Sequence, residues 1–392
     1  MKPADGNHRK PASSSSNRHE TRSDMYRSRS AEKQLYDRMI FGVFGGILVI
    51  FLAVFYWIIA VDSDYRAVLD PVEMSYSEEL CMAVSSVAEP ADAYYTTVFT
   101  FGGSCTLASM LGSRSFGTFN LMCSEKGADY FFDGLDSIFS ADNFTLVGCS
   151  AVLSDNKELT AADKGVFEWY LGPASNAEVF SRGSVEGVSL ECARSGDYGE
   201  IGKTESEAAL SSCGVIGGTD VRHIEVPLEG GGCAVICCLT YRNGNEAELA
   251  EHIGNAASKY DAVLVYITDS ADSYAVSDAK RAAYRSFVDA GADVIVGTNG
   301  TKLQQIEEYN GKTIAYSLGA LLDGSTKYPE KYSSLLRVNI RVDGGAVIGV
   351  SCESVPVVSY DENNSWRPTV IGEGDVLGGV EAFLSGERDN PN

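Results

Sequence analysis

The stretch Val188–Gly202, VSLECARSGDYGEIG, sets a thiol, a guanidinium and a carboxylate close together at Cys192, Arg194 and Asp197. It starts as an apolar strand and breaks into a loop of polar and small residues. The loop past the C-terminal end of a strand is where α/β proteins hold ligands. Cys192 suits a soft metal, but no second Cys or His stands at a matching spacing. Arg194 suits an anionic group such as a carboxylate or phosphate, but a local ion pair with Asp197 or Glu191 is the simpler account of it. Asp197 is the carboxylate to single out, because it follows a strand end. An Asx-type turn with Tyr198 and Gly199 explains it in purely structural terms.

Other chemistries find little support. The chain has four histidines, His8, His19, His223 and His252. His252 lies in a helical pattern and His223 in the segment RHIEV, which reads as an exposed strand. Neither stands at a metal-ligand spacing. No GxSxG elbow is present. The glycine run Gly230–Gly232 lacks the Lys-Ser/Thr of a phosphate loop and reads as a hairpin turn. The chain has ten cysteines without a CxxC…CxxC arrangement, so no structural zinc site and no cofactor are expected. Cys105, Cys149, Cys192 and Cys237 fall in or beside apolar strands, where thiols pack as small hydrophobes. Spacing alone does not settle which cysteines, if any, form disulfides.

The elements that position these groups begin well inside the chain. Residues 1–38 carry nine Lys/Arg against five Asp/Glu, a net of +4. The whole chain is at −23, so the remainder carries −27. Met39–Val61 is a run of 23 residues without a charge. At about 1.5 Å rise per residue it crosses a hydrocarbon core of roughly 30 Å with some tilt. A signal-peptide core runs only about 7–15 residues and ends in small residues; this run is longer and ends in aromatics. It therefore reads as one membrane anchor in contact with bilayer lipid. The basic, Ser-rich and disordered tail 1–38 is placed in the cytoplasm, and the main domain outside the cell membrane. The acidic outer part excludes nucleic acid as a partner.

Residues 62–92 read as a stalk, 93–360 as one domain and 361–392 as a C-terminal extension with a loose end. Strands are predicted at 96–101, 144–149, 185–190, 234–239 and 262–267, and again in ADVIVG and KTIAYSLG. Helices are predicted at 128–141, 204–214 (Thr204 as N-cap, Glu207 completing a capping box), 246–259 and 277–292. LLRVNIRVDGGAVIGVSCES is a hairpin turning at Asp343-Gly344-Gly345. Alternating strands and helices followed by a hairpin argue for a layered α/β domain.

Over roughly Thr96–Asp323, ordered motifs at strand ends resemble the CapA family, bacterial capsule and poly-γ-glutamate synthesis proteins with a metallophosphatase-like fold. FGGSCTLA has Ser104 where the family has Asp. TLVGCSA has Gly148 and Ser150 at the Asn and Glu of NLEG. SLECARSGDYGEIG has Cys192, Ala193 and Arg194 in place of Asn, Asn and His. VYITDSADSY has Thr268 at a His. GADVIVGTNGTKLQQIE carries Thr298, Asn299, Gly300 and Thr301 across HHPH, and YSLGALL has Ala320 at an Asn. The frame (GAD, LQ, YSLG, DYG) matches, whereas the polar ligand positions are almost all replaced.

The resemblance implies an α-β-β-α sandwich preceded by one transmembrane helix. The replacements imply a pseudoenzyme, because a two-metal centre needs carboxylates and imidazoles and a permanent guanidinium repels divalent ions. Arg194, Asp197, Tyr198, Asp269, Gln304 and Tyr316 remain as a residual cleft. The expected role is a non-catalytic accessory in envelope-polymer assembly, working with polymer-synthesis proteins. The alternatives are an enzyme with relocated ligands, Asp197, Asp269 and Asp272 gathering one cation, and a binding or sensing module for an anionic polymer. The chain is predicted to hold no two-metal centre at these loops. Metal analysis of the purified protein checks this, and about two equivalents of Mn, Fe or Zn would overturn it.

Overall fold

A computed structural model describes residues 94–109, 118–159, 171–192, 194–219, 223–269, 273–299, 301–325, 329–360 and 366–391. The tail, the 39–61 run, the stalk and Ala193 lie outside them. Among the described residues no helix is long and apolar enough to cross a membrane.

The chain is a mixed α/β fold built on two principal sheets. The larger contains β1 (Tyr95–Thr106), β2 (Phe144–Cys149), β5 (Gly187–Ser189), β6 (Ile216–Gly218), β13 (Ala320–Asp323), β14 (Tyr332–Asp343), β15 (Ala346–Val358) and β16 (Thr369–Val370). Its order is β16-β15-β14-β1-β2-β5-β6, with β13 pairing on β1. The second contains β7 (Ile224–Pro227), β8 (Cys233–Thr240), β9 (Ala262–Asp269), β10 (Val294–Asn299), β11 (Ile306–Tyr309) and β12 (Lys312–Ala315), in the order β11-β12-β10-β9-β8-β7. A small pair joins β3 (Val152–Leu153) to β4 (Leu171–Gly172). The helices are α1 (Phe119–Lys126), α2 (Asp136–Phe139), α3 (Glu178–Arg182), α4 (Gly199–Ser212), α5 (Glu246–Ala257), α6 (Asp278–Asp289) and α7 (Asp375–Leu384).

Sequence pattern and burial agree strand by strand. Every residue of β2 and of β9 is buried, and both are near-continuous apolar runs. Parallel strands covered on both faces have this composition. β15 alternates between exposed and half-buried along most of its length, as an antiparallel strand with one wet face should. Phe99, Phe101 and Leu146 of the larger sheet share one core with Ile236, Leu264, Tyr266 and Val296 of the second. The opposite face of the second sheet (Cys237, Val263, Ile295) packs under Leu249 and Ile253 of α5 and Tyr284 and Phe287 of α6. The opposite face of the larger sheet (Cys105, Val147, Val188) packs against Phe119, Phe139, Phe180 and Leu210 of α1 to α4.

The expected strands are present, and the hairpin turns at Gly344-Gly345 as read. Two helix expectations need correction. Residues 128–141 form a 3-10 turn at Ala128–Tyr130 and the one-turn α2 rather than one helix. Phe131 packs on Phe119 while its neighbour Phe132 packs on Phe139 and Phe180. One amphipathic stripe does not bury two consecutive aromatics in different directions. The helix expected at Thr204 starts at Gly199, whose φ of +66 makes the sharp entry from the loop. Thr204 is thus interior, and its hydroxyl donates back to the Glu200 carbonyl at 2.9 Å. The C-terminal segment is more integrated than its composition suggests. Val380, Phe383 and Leu384 of α7 pack with Leu303, Tyr332 and Ile371.

β1 crosses the turn before β13 at close quarters. A Cβ on Gly103 would stand 1.9 Å from the Gly319 carbonyl oxygen, and the Ser104 N–H donates to that same oxygen at 3.1 Å. Gly103→Ala is therefore expected to destabilise the fold by about 1–3 kcal/mol or more, read as a drop in the thermal midpoint. An unchanged midpoint would show that the crossing can open.

Candidate functional site

The strand registers bring the replaced motif positions together. Ser104 lies opposite Gly148 on one side and Ala320 on the other. Gly148 pairs with Ser189, three residues before Cys192. In the second sheet Thr298 lies opposite Thr268, and Thr268 opposite Thr240. The two sheets meet at this end, because Cys192 Sγ lies 3.8 Å from Thr268 Oγ1. Positions far apart in sequence are thus gathered at the C-terminal strand ends, the ligand-binding edge of α/β sheets.

That meeting point is packed. A Cβ on Gly148 would fall 2.4 Å from Cys192 Sγ and 2.9 Å from the Tyr266 hydroxyl. Ser104, Ser150, Cys192, Thr268, Thr298 and Ala320 are all buried, and Thr301 is half-buried. The Tyr266 hydroxyl donates to the Gly102 carbonyl at 2.9 Å. Burial pushes the Cys192 thiol well above its ordinary value, opposed by its hydrogen bond with Thr268. A thiol held protonated is a poor nucleophile, and a metal ion binds it only by displacing that proton. Cys105, Cys149 and Cys237 are buried thiols as well, Cys149 pushed up to about 12 by burial.

The frame residues have structural work that explains their retention. Ser317 accepts from the Gly319 N–H and donates to the Lys302 carbonyl. The Leu318 N–H reaches the Gly297 carbonyl and the Ala320 N–H the Thr301 carbonyl. YSLG therefore ties the end of β10 to β13. Asp293 of GAD accepts from the Val263 N–H at 2.8 Å and from Lys312 at 2.7 Å. In the DYG turn Tyr198 is buried and packs where Gly202 leaves room, 2.7 Å from a Cβ at that position.

A resident cation occupies one corner. Lys280 Nζ lies 2.5 Å from Asp269 Oδ2 and donates to Gln304 Oε1 at 2.7 Å, and both Lys280 and Asp269 are buried. Gln304 Nε2 donates to the Ser273 and Ala275 carbonyls, and the Tyr284 hydroxyl donates to Asp269 at 3.2 Å. Burial pulls the Lys280 ammonium below its ordinary value, and the Asp269 charge opposes that pull. Lys280 also sits 5.1 Å from the Tyr284 ring centre. Asp269 is thereby neutralised without a metal. The sequence reading missed Lys280, although the signal was present. It sits with Ala283, Tyr284 and Phe287 on the buried stripe of α6, where a charge must be paired.

The remaining expected cleft residues separate. Arg194 pairs with Asp197 at 3.9 Å. Glu191 is engaged by Lys203 at 2.9 Å and by the Thr240 hydroxyl at 3.1 Å. Tyr316 stacks on Tyr284, and its hydroxyl donates to Glu307, which also holds Arg281 and Arg285. Burial, then Glu307, push the Tyr316 hydroxyl up. Asp272 lies outside the described residues. A cleft of about 270 Å³ remains, lined by Glu191, Cys192, Lys203, Arg242, Thr268 and Asp269 among others. Lys203 and Arg242 were not anticipated.

A family model described as bacterial capsule synthesis protein PGA_cap matches residues 219–325. The match takes in the ends of β9 and β10 and the YSLG turn, and leaves out the loops after β1, β2 and β5. No curated protein matches the chain.

Removing one partner of a buried pair leaves the other charge uncompensated. Lys280→Met is expected to cost about 3–5 kcal/mol, and Lys280→Met with Asp269→Leu to recover most of that loss. Urea unfolding of the three proteins reads both values; a neutral single variant would mean the pair is not buried in solution.

Proposed function

We propose, from the match of residues 219–325 to the bacterial capsule synthesis protein PGA_cap model, that the chain is a member of that family and a non-catalytic accessory of capsule or poly-γ-glutamate-type envelope-polymer synthesis. It is held at the outer face of the cell membrane by Met39–Val61 and works with polymer-synthesis proteins. Its two sheets and their flanking helices make the α-β-β-α sandwich of metallophosphatase-like folds.

The observation that carries the non-catalytic reading is the packing around Gly148. Cys192 Sγ and the Tyr266 hydroxyl fill the space that a side chain at that position would need. The Asp269–Lys280 pair supports it, since an ammonium on the carboxylate competes with any divalent ion there. The relocated-ligand alternative loses Asp269 to Lys280, while Asp197 is held beside Arg194.

One observation favours a second reading. Arg242 lines the open cleft beside the Lys203–Glu191 pair and suits a single anionic group. The net charge of −23 opposes a long polyanion. In that case Arg242→Ala would weaken binding of a polyglutamate or teichoic-type oligomer.

Deletion of the chain in the producing cell is expected to lower cell-associated envelope polymer, and Cys192→Ala to restore it fully. Removing residues 1–61 is expected to release the protein from the membrane fraction. Unchanged polymer on deletion would overturn the role, and a cation-dependent phosphoesterase activity of the purified chain would overturn the non-catalytic reading.

A further inference from the structure

His223 and His252 are 29 residues apart. His223 immediately precedes β7, whose first residue, Ile224, lies opposite Ile236 of β8. That antiparallel register sets His223 across from Cys237. Cys237 faces the helix-covered side of the second sheet, among Leu249 and Ile253 of α5, and α5 also carries His252. The three side chains converge. The two Nε2 atoms lie 2.6 Å apart with the rings edge to face, and all three ligand atoms fall within 4.8 Å of one another.

We propose that His223, Cys237 and His252 form a single-ion site for a borderline-soft divalent cation, with zinc the best match. Imidazole and thiolate are the ligand types such ions prefer. Zinc stands about 2.0–2.1 Å from imidazole nitrogen and about 2.3 Å from thiolate, which holds tetrahedral ligand atoms roughly 3.3–3.6 Å apart. The observed spread, from 2.6 Å to at most 4.8 Å, brackets that spacing, so side-chain shifts of about 1 Å seat the ion. The two Nε2 atoms share a hydrogen bond at 2.6 Å, which a bound ion would replace.

Charge and access agree with this. One thiolate and two neutral rings leave a bound divalent ion with one net positive charge and a fourth position open. His252 forms part of the wall of a cleft lined by Arg242, Asn245, Glu248, Glu251 and Asn255 among others. Glu248, one turn before His252 on α5, lines the same cleft, so the site is reached from its His252 side. The Cys237 thiol, pushed up to about 12 by burial, loses its proton when the ion binds. The site lies on the opposite face of β8 from the packed interior between the sheets. It therefore stands or falls independently of the capsule-polymer reading.

The test uses the full-length chain in detergent, stripped with a chelator and titrated with Co²⁺ and then Zn²⁺. The expected result is about one equivalent bound, a near-ultraviolet thiolate-to-cobalt absorption that Zn²⁺ displaces, and a thermal midpoint that Zn²⁺ raises. His252→Gln, on the half-buried helix face, should weaken binding at least tenfold, and Cys237→Ser should abolish the thiolate band. Absence of Co²⁺ binding by the unmodified chain would overturn the site whatever the variants do. Binding that survives both His252→Gln and Cys237→Ser with unchanged affinity and spectrum would overturn it too. If Cys237→Ser fails to fold, the unmodified chain and His252→Gln still decide.

Discussion

The buried pairing of Asp269 with Lys280 holds the functional end of the molecule together. A carboxylate at the end of an all-buried strand must keep a counter-charge or lose its own. Lys280 supplies it from the first turn of α6, whose N-cap Ser277 accepts from the Lys280 N–H at 3.2 Å. Gln304 takes another ammonium proton and in turn ties down the segment around Ser273 and Ala275. One interaction thus fixes β9, α6 and the approach to β11. It does with a side chain what a metal centre does with an ion: it gathers polar groups from several strand ends around a positive charge.

The retained and replaced residues divide along a physical line. Those retained make backbone contacts or close approaches that no other residue reproduces. Gly319 lies against Gly103, Ser317 closes its turn, and Asp293 holds the Val263 N–H. Of the positions that differ from the family motifs, Ser104, Gly148, Ser150, Cys192, Thr268, Thr298 and Ala320 are buried and small or hydroxylic, whereas Arg194 and Thr301 are partly exposed. The outcome is a closed interior where the frame predicts an open centre, beside a shallower polar cleft edged by Lys203 and Arg242. At the junction burial pushes the Cys192 thiol up, and Asp269 is paired with Lys280.

The sequence determined a good deal unaided. Strands buried on both faces read as unbroken apolar runs, so β2, β8, β9 and β10 were legible. The β14–β15 hairpin was legible from Asp343-Gly344-Gly345. The family resemblance was legible because motif positions are local. Local signals failed where packing overrode them. The capping box at Thr204 lost to the turn at Gly199, and consecutive aromatics at Phe131 and Phe132 broke an expected helix.

Only the tertiary structure decided which distant groups meet. Lys280 and Asp269 are joined because a helix folds back over the strand that precedes it. His223, Cys237 and His252 are joined because β7 pairs with β8 in one register and α5 crosses above. Periodicity tells which face of an element a side chain occupies, not which face of another element lies opposite. That second fact comes from strand order, register and the docking of helices, and it separates four scattered histidines from a pair whose rings touch.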